Sequence, residues 1–250
     1  MYNKEAEIIQ LLGVGINNIT MANAIDRIIQ MAKEMQPTQV AFVNADCLNI
    51  AFIHDNYTDI LNQLSLVLPD GIGVNIAARI QGMRIKANVN GTDLFPLLAQ
   101  RMEEEKLSVY LLGARLHVLE TMVRNLRQNY PGLLITGHHC GYFEESEEQT
   151  VIKKIASSNT NVLLTAFGVP KQELWINEHL TSLNIGVAIG VGGLFDFIGE
   201  RNKRAPRWIR KNGMEWLFRM IQEPNRLWKR YLLGNPLFLW RACILRRKVE

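Results

Sequence analysis

Short β-branched or apolar runs alternate with longer segments of helical period along most of the chain. That alternation calls for strands buried on both faces and joined by crossover helices, the arrangement of a parallel sheet. Strands are expected near Gln39 to Asn44, Leu64 to Pro69, Ser108 to Gly113, Leu133 to Gly137, Asn161 to Gly168 and Ile185 to Gly190. Between them, Met21 to Met35 sets Ala24, Ile28, Met31 and Met35 on one helical face, and Leu116 to Tyr130 does the same with Leu119, Met122, Val123 and Leu126. The expected architecture is α/β: a Rossmann-like, mostly parallel sheet with helices on both faces, followed by a basic helical C-terminal appendage.

Charge separates the two parts. Residues 1 to 200 hold 14 Lys/Arg against 21 Asp/Glu, net −7, whereas residues 201 to 250 hold 14 against 3, net +11. Trp208, Trp216, Trp228 and Trp240, four of the five tryptophans, fall in the same last fifth. The apolar pattern breaks over Gly199 to Pro206, so the expected division is a Rossmann-like domain over 1–199 and an appendage over 200–250. In the appendage, Pro206 to Gln222 reads as one helix, and a second begins after Glu223-Pro224. Its most apolar stretch, Tyr231 to Leu245, is interrupted by Gly234-Asn235-Pro236 and Arg241 and falls short of the roughly 20 apolar residues of a spanning helix. Basic residues beside Trp and Leu suit an anionic membrane surface better than nucleic acid. Cys47, Cys140 and Cys243 have no disulfide or metal spacing, and no signal sequence opens the chain. The expected setting is therefore cytoplasmic and peripheral to the membrane.

In an open parallel sheet, ligands bind beyond the carboxyl ends of the strands. Those positions read Asn44-Ala45-Asp46, Pro69-Asp70-Gly71-Ile72-Gly73, Gly113-Ala114, Gly168-Val169-Pro170-Lys171-Gln172-Glu173 and Gly190-Val191-Gly192-Gly193. Glycines at strand-to-helix turns let the backbone approach a ligand and present amides to an anion such as a diphosphate. The dinucleotide fingerprint is absent: Gly13-Val14-Gly15 and Gly190-Val191-Gly192 both lack the later glycine. There is no Walker loop and no Asp-x-Asp pair, so amides, Lys or Arg would have to stabilise a diphosphate leaving group. His138 and His139 are adjacent on a strand and point to opposite faces, which argues against a metal site. Asp70 is the carboxylate best placed for general-base chemistry, the alternative being an N-cap for a helix over Gly71 to Arg79. Asn44, Asp46 and Asp93 face the same choice. Gln172, in a first turn opened by Pro170, either binds a sugar or phosphate or is an ordinary exposed glutamine.

The order of the motifs is more specific than any one of them. Together with Asn90-Gly91-Thr92-Asp93-Leu94, Tyr110-Leu111-Leu112-Gly113, Gly141-Tyr142-Phe143, Gly192-Gly193-Leu194-Phe195-Asp196, Arg204-Ala205-Pro206 and Glu215-Trp216-Leu217-Phe218-Arg219, they give a chain that resembles the WecG/TagA/CpsF family of bacterial glycosyltransferases over nearly its full length. The resemblance implies inverting, metal-independent transfer, with no cofactor, from a UDP-sugar to a polyprenyl-diphosphate-linked sugar in cell-surface polysaccharide or teichoic-acid synthesis. It puts the general base on Asp70 and pocket positions on Asn44 and Gln172. From the appendage it implies cationic contributions by Arg219, Arg226 and Lys229. Substrate contacts are expected from Asp46, Gly71, Thr92, Asp93, Gly113, Gly168, Gly192, Gly193 and Asp196. Two departures stand out: Phe42 where members often have Thr, and Asn88 where many have Arg. The donor is accordingly left open among an N-acetylmannosamine-type sugar, its uronic acid and a hexose. The expected partners are the UDP-sugar, the lipid-linked acceptor and an anionic membrane surface, without nucleic acid, and the sequence leaves room for a homo-oligomer. A nicotinamide-dependent oxidoreductase and a noncatalytic membrane adaptor are the rival readings.

Overall fold

The structure, a computed structural model, describes residues 7–199, 204–211 and 213–246. A hairpin of β1 (Ile8–Leu11) and β2 (Val14–Asn17) precedes α1 (Met21–Glu34). The main sheet follows with β3 (Thr38–Val43), α2 (Ala45–Ala51), α3 (Asp55–Gln63), β4 (Leu66–Pro69), α4 (Ile72–Ile80) and α5 (Gly91–Glu104). It continues through β5 (Ser108–Gly113), α6 (Leu116–Asn129), β6 (Leu134–His139), α7 (Glu145–Ala156), β7 (Val162–Ala166), α8 (Lys171–His179), β8 (Val187–Gly190) and α9 (Leu194–Ile198). The six strands pair in parallel in the order β4-β3-β8-β7-β5-β6. All six coincide with the strands expected from sequence, and α1 and α6 occupy the two periodic segments.

Alternate residues along each inner strand feed opposite layers, as the pleat requires. Val40, Leu66, Leu68, Val109, Leu111, Leu164 and Ile189 meet the apolar faces of α1, α5 and α6 in one core. Ala41, Val43 and Val67 meet α2, α4 and the hairpin on the other face, where Tyr110, Leu112, Leu163 and Ala188 meet α7 and α8. Thr20 starts α1 by accepting the Asn23 N–H on its side-chain oxygen.

The hairpin is not expected from the sequence, where Gly13-Val14-Gly15 reads only as an incomplete dinucleotide fingerprint. Leu12 and Gly13 both have positive φ, 50° and 86°, and so supply the turn. Asn62 then clamps it, donating to Gly13 O and accepting from Gly15 N–H, each at 2.9 Å.

The appendage comprises α10 (Arg207–Lys211), α11 (Glu215–Gln222), α12 (Pro224–Trp228), a π-helical turn (Lys229–Gly234) and α13 (Asn235–Arg246). The single helix expected over Pro206 to Gln222 is two, because Gly213 adopts φ +70° where it passes Ile72 of α4; a Cβ there would lie 2.4 Å from Ile72 Cδ1. Gly234-Asn235-Pro236 does not interrupt the backbone as its composition suggests: helical structure runs from α12 through the π turn into α13. Phe238 and Ala242 of α13 are fully buried among residues of α2 and α4, so this helix completes the core layer over that face. The expected boundary at 199/200 falls on residues 200–203, outside the described ones.

Candidate active site

Register places the first pair of site residues. Val43 of β3 is aligned with Pro69 of β4, and the Asp70 N–H donates to Val43 O at 2.9 Å, so Asn44 and Asp70 leave the sheet side by side. Asn44 caps α2: its side-chain oxygen accepts from the Asp46 and Cys47 N–H groups at 3.0 and 3.3 Å. Its carboxamide also faces the Asp70 carboxyl and helps to hold its pKa down. Asp70 itself caps nothing, because Gly71, with φ 93°, occupies the N-cap of α4. The Gly71 N–H is held instead by Asn88 Oδ1 at 2.7 Å, which fixes the turn just after the carboxylate.

These residues open onto a cleft of about 730 Å³ at the carboxyl ends of β3, β4, β7 and β8. Asn44, Asp46, Asp70, Gly71, Thr92, Gly168, Gln172, Gly192 and Gly193 line it. A depression of about 770 Å³ at the opposite, amino-terminal ends of β5 and β6 contains Lys106, Ser108 and Arg127, and none of the expected residues reaches it. The wall of the cleft near Asp70 is rich in carboxamides, with Asn44, Asn75, Asn88 and Asn90, and Phe42 packs beneath Gly91.

The facing wall comes from the appendage and is cationic: Arg210, Arg219, Arg226 and Arg230. Arg219 lies over the Phe197 ring at 5.0 Å and so close to Gly193 that a Cβ there would stand 2.9 Å from its guanidinium. Arg230 pairs with Asp46 at 3.4 Å. Burial pushes the Asp70 carboxyl above the ordinary aspartate range, and Arg219, Arg230 and the Asn44 carboxamide only partly oppose it. A desolvated carboxylate beside cations is basic enough to take a proton and close to the charge that a diphosphate would bring.

Four expected contacts lie outside this lining. Lys229 is exposed and stands over Trp228 at 5.6 Å, so Arg230, its neighbour, supplies the cation in its place. Arg226 and Arg230 are one helical turn apart, the spacing that could have singled out Arg230 from the sequence. Asp93 is engaged by the Asn90 cap, by Arg204 and by Arg210 at 3.3 Å. Burial alone would raise its pKa, but the Asn90 and Arg204 hydrogen bonds with the two cations hold it below the usual range. Gly113 serves packing, since a Cβ would meet Ala166 O at 2.7 Å. Asp196 sits in α9 away from the lining.

Gln172 is not an ordinary exposed glutamine. It is 2% exposed; its Oε1 accepts from the Gly192 N–H at 3.1 Å and its Nε2 donates to Glu173 Oε1 at 2.7 Å. The Gly192 amide, expected to face a diphosphate, is therefore directed at Gln172. His139 Nδ1 faces Cys140 O at 2.9 Å, and no group of three His, Cys, Asp or Glu side chains suited to a metal occurs among the described residues.

The model of the glycosyl transferase WecG/TagA/CpsF family matches residues 9–250. The chain belongs to that family. This WecG/TagA/CpsF glycosyltransferase is 33% identical over 193 residues to the N-acetylglucosaminyldiphosphoundecaprenol N-acetyl-beta-D-mannosaminyltransferase of Bacillus subtilis (strain 168), covering 77% of this chain and 74% of the relative. To the protein of the same name from Staphylococcus aureus (strain MW2) it is 30% identical over 244 residues, covering 97% and 94%. Its fold brings the strand-end carboxylate and the appendage arginines into the lining of one cleft. No helix among the described residues is long and apolar enough to cross a membrane.

Proposed function

We propose that this glycosyltransferase moves a sugar from a UDP-sugar to a hydroxyl of a polyprenyl-diphosphate-linked sugar, with inversion, in cell-surface polysaccharide or teichoic-acid synthesis. The observation that carries the proposal is that Asp70, Arg219 and Arg230 line one cleft, the two guanidiniums near enough to oppose the upward shift of the Asp70 carboxyl. Asp70 takes the proton of the acceptor hydroxyl as that oxygen bonds to the anomeric carbon. The bond from that carbon to the UDP oxygen breaks on the opposite face, and Arg219, Arg226 and Arg230 offset the charge on the departing diphosphate. The relatives' names support the acceptor class, since they specify a diphosphoundecaprenol-linked sugar.

A membrane-bound acceptor suits the outer face of the appendage. Trp208, Ile221, Leu232, Leu233 and Trp240 are each more than half exposed there, and Lys229 is exposed as well. We assign this face to an anionic membrane surface, where each nearby Lys or Arg contributes about 1 kcal/mol.

The test is a donor screen. The protein is incubated with UDP-N-acetylmannosamine, its uronate and UDP-hexoses, each with short-chain polyprenyl-diphosphate sugars, and product mass is read. A lipid-linked disaccharide is the expected product; no transfer from any pair would favour a noncatalytic adaptor.

A further inference from the structure

Beneath the floor of the cleft, Glu173 has no part in the chemistry above. It lies in the first turn of α8 and is fully buried. Gln172 donates to its Oε1 and uses its own Oε1 to receive the Gly192 N–H. Gly190 makes the space for this pair: a Cβ there would stand 2.8 Å from Gln172 Nε2 and 2.9 Å from Glu173 Oε1. Beyond Gly192, the same turn carries Gly193, against which the Arg219 guanidinium rests. One chain of contacts thus runs from Glu173 to the main cation of the cleft.

A carboxamide has two ends of nearly equal shape, and its partners decide which way it points. A carboxyl oxygen at Glu173 selects the nitrogen end of Gln172 and leaves the oxygen end for the Gly192 N–H. We propose that Glu173 is a positioning residue: it sets the orientation of the Gln172 carboxamide and thereby holds the Gly190–Gly193 turn against Arg219 in the geometry that receives the donor diphosphate. This rests on the reading of the cleft as a UDP-sugar site.

The surroundings fit that task. The groups facing Glu173 are the Tyr57 phenol of α3 and the Cys47 thiol of α2, and Gln39 of β3 donates to its backbone carbonyl at 3.1 Å. Among the described residues, no Lys, Arg or His forms an ion pair with it. Burial pushes its carboxyl up to about 7, against the Gln172 hydrogen bond. Either protonation state still offers an acceptor oxygen to Gln172.

Amide hydrogen exchange over residues 187–195, measured without substrate, and UDP affinity by calorimetry test the proposal together. Glu173→Leu is expected to speed exchange in that segment at least tenfold and weaken UDP binding at least fivefold, while Glu173→Gln, which keeps an acceptor oxygen, shows no faster exchange and no weaker UDP binding than the unsubstituted protein. Wild-type exchange in folded Glu173→Leu overturns the proposal, as does a Glu173→Gln variant as impaired as Glu173→Leu. If Glu173→Leu does not fold, Gly190→Ala displaces the pair sterically without changing charge and carries the same two outcomes. Absence of UDP binding by the unsubstituted protein would instead remove the functional reading, and the exchange result would still decide the role of Glu173 in the turn.

Discussion

Arg230 Nε lies 3.4 Å from Asp46 Oδ2, joining the π-helical turn of the appendage to the first turn of α2, the helix that Asn44 caps beside Asp70. Farther along the same two elements, Asn49 donates to Gly234 O at 2.7 Å, and Arg241 reaches Asn49 Oδ1 at 2.9 Å while stacking over Phe52. The appendage therefore grips α2 along its length and completes the cleft.

Arg230→Ala is expected to lower kcat at least tenfold, because it deletes a cation facing Asp70 and frees the Asp46 carboxylate; loss of one such donor typically costs about 3 kcal/mol. Lys229→Ala, one residue away and exposed, should stay within about twofold with a soluble acceptor analogue. Steady-state kinetics of the two variants separate the structural assignment from the one that the family resemblance implies.

Asp70→Asn should remove transfer by roughly 10²–10⁴-fold, the range for loss of a general base. UDP affinity, measured by calorimetry, should change little, since the phosphate-facing cations are untouched. Turnover near the normal rate would take the base role away from Asp70.

The acid limb of kcat/KM should report Asp70. Its pKa is raised, so the active carboxylate form is lost as pH falls through a value above the ordinary aspartate range. Arg219 is the leading group that holds this pKa down. Arg219→Gln should then move the acid limb to higher pH as well as lower the rate, and an acid limb unchanged in the variant would detach it from Asp70.

Ile221 and Trp240 are 71% and 60% exposed on the outer face of the appendage. Burying one such side chain in the interface is worth roughly 1.5–3 kcal/mol. The double substitution Ile221→Glu, Trp240→Glu should weaken sedimentation with anionic liposomes at least tenfold and leave UDP affinity intact. Unchanged liposome binding would place the membrane contact elsewhere.

How much of this was legible in the sequence follows from the range of each signal. Five of the six sheet strands announce themselves because they are buried on both faces and read as largely apolar runs; β5, with all six residues buried, is the extreme case, whereas the edge strand β6 alternates between exposed and half-buried residues. Asp70 and Asn44 were found because strand ends are where ligands bind. Their adjacency was hidden, since it depends on Val43 meeting Pro69 in register. The hairpin escaped because two four-residue strands give too short a period. Local sequence leaves Gln172 open between a pocket residue and an exposed glutamine, because nothing local shows that Gly190, eighteen residues on, leaves room for it and Glu173. Lys229 rather than Arg230 is the position that the family resemblance implies, although Arg230 stands one helical turn from Arg226.

Glu173 also sets a pH dependence of stability. Its carboxyl is raised from 4.5 to about 7 in the folded protein, chiefly by burial. The folded state therefore binds the proton more tightly than the unfolded chain does. That contribution is fully present below about 4.5 and is lost as pH rises through about 7, beyond which the buried carboxylate is a constant burden of roughly 3 kcal/mol. Glu173→Gln removes the titration and keeps the hydrogen bond from Gln172. Urea unfolding should find this variant more stable than the unsubstituted protein by about that amount at pH 8, with the difference shrinking toward pH 4.5. A stability difference independent of pH would mean that Glu173 ionises in the folded protein as readily as in the unfolded chain, which its complete burial beside Tyr57 and Cys47 argues against.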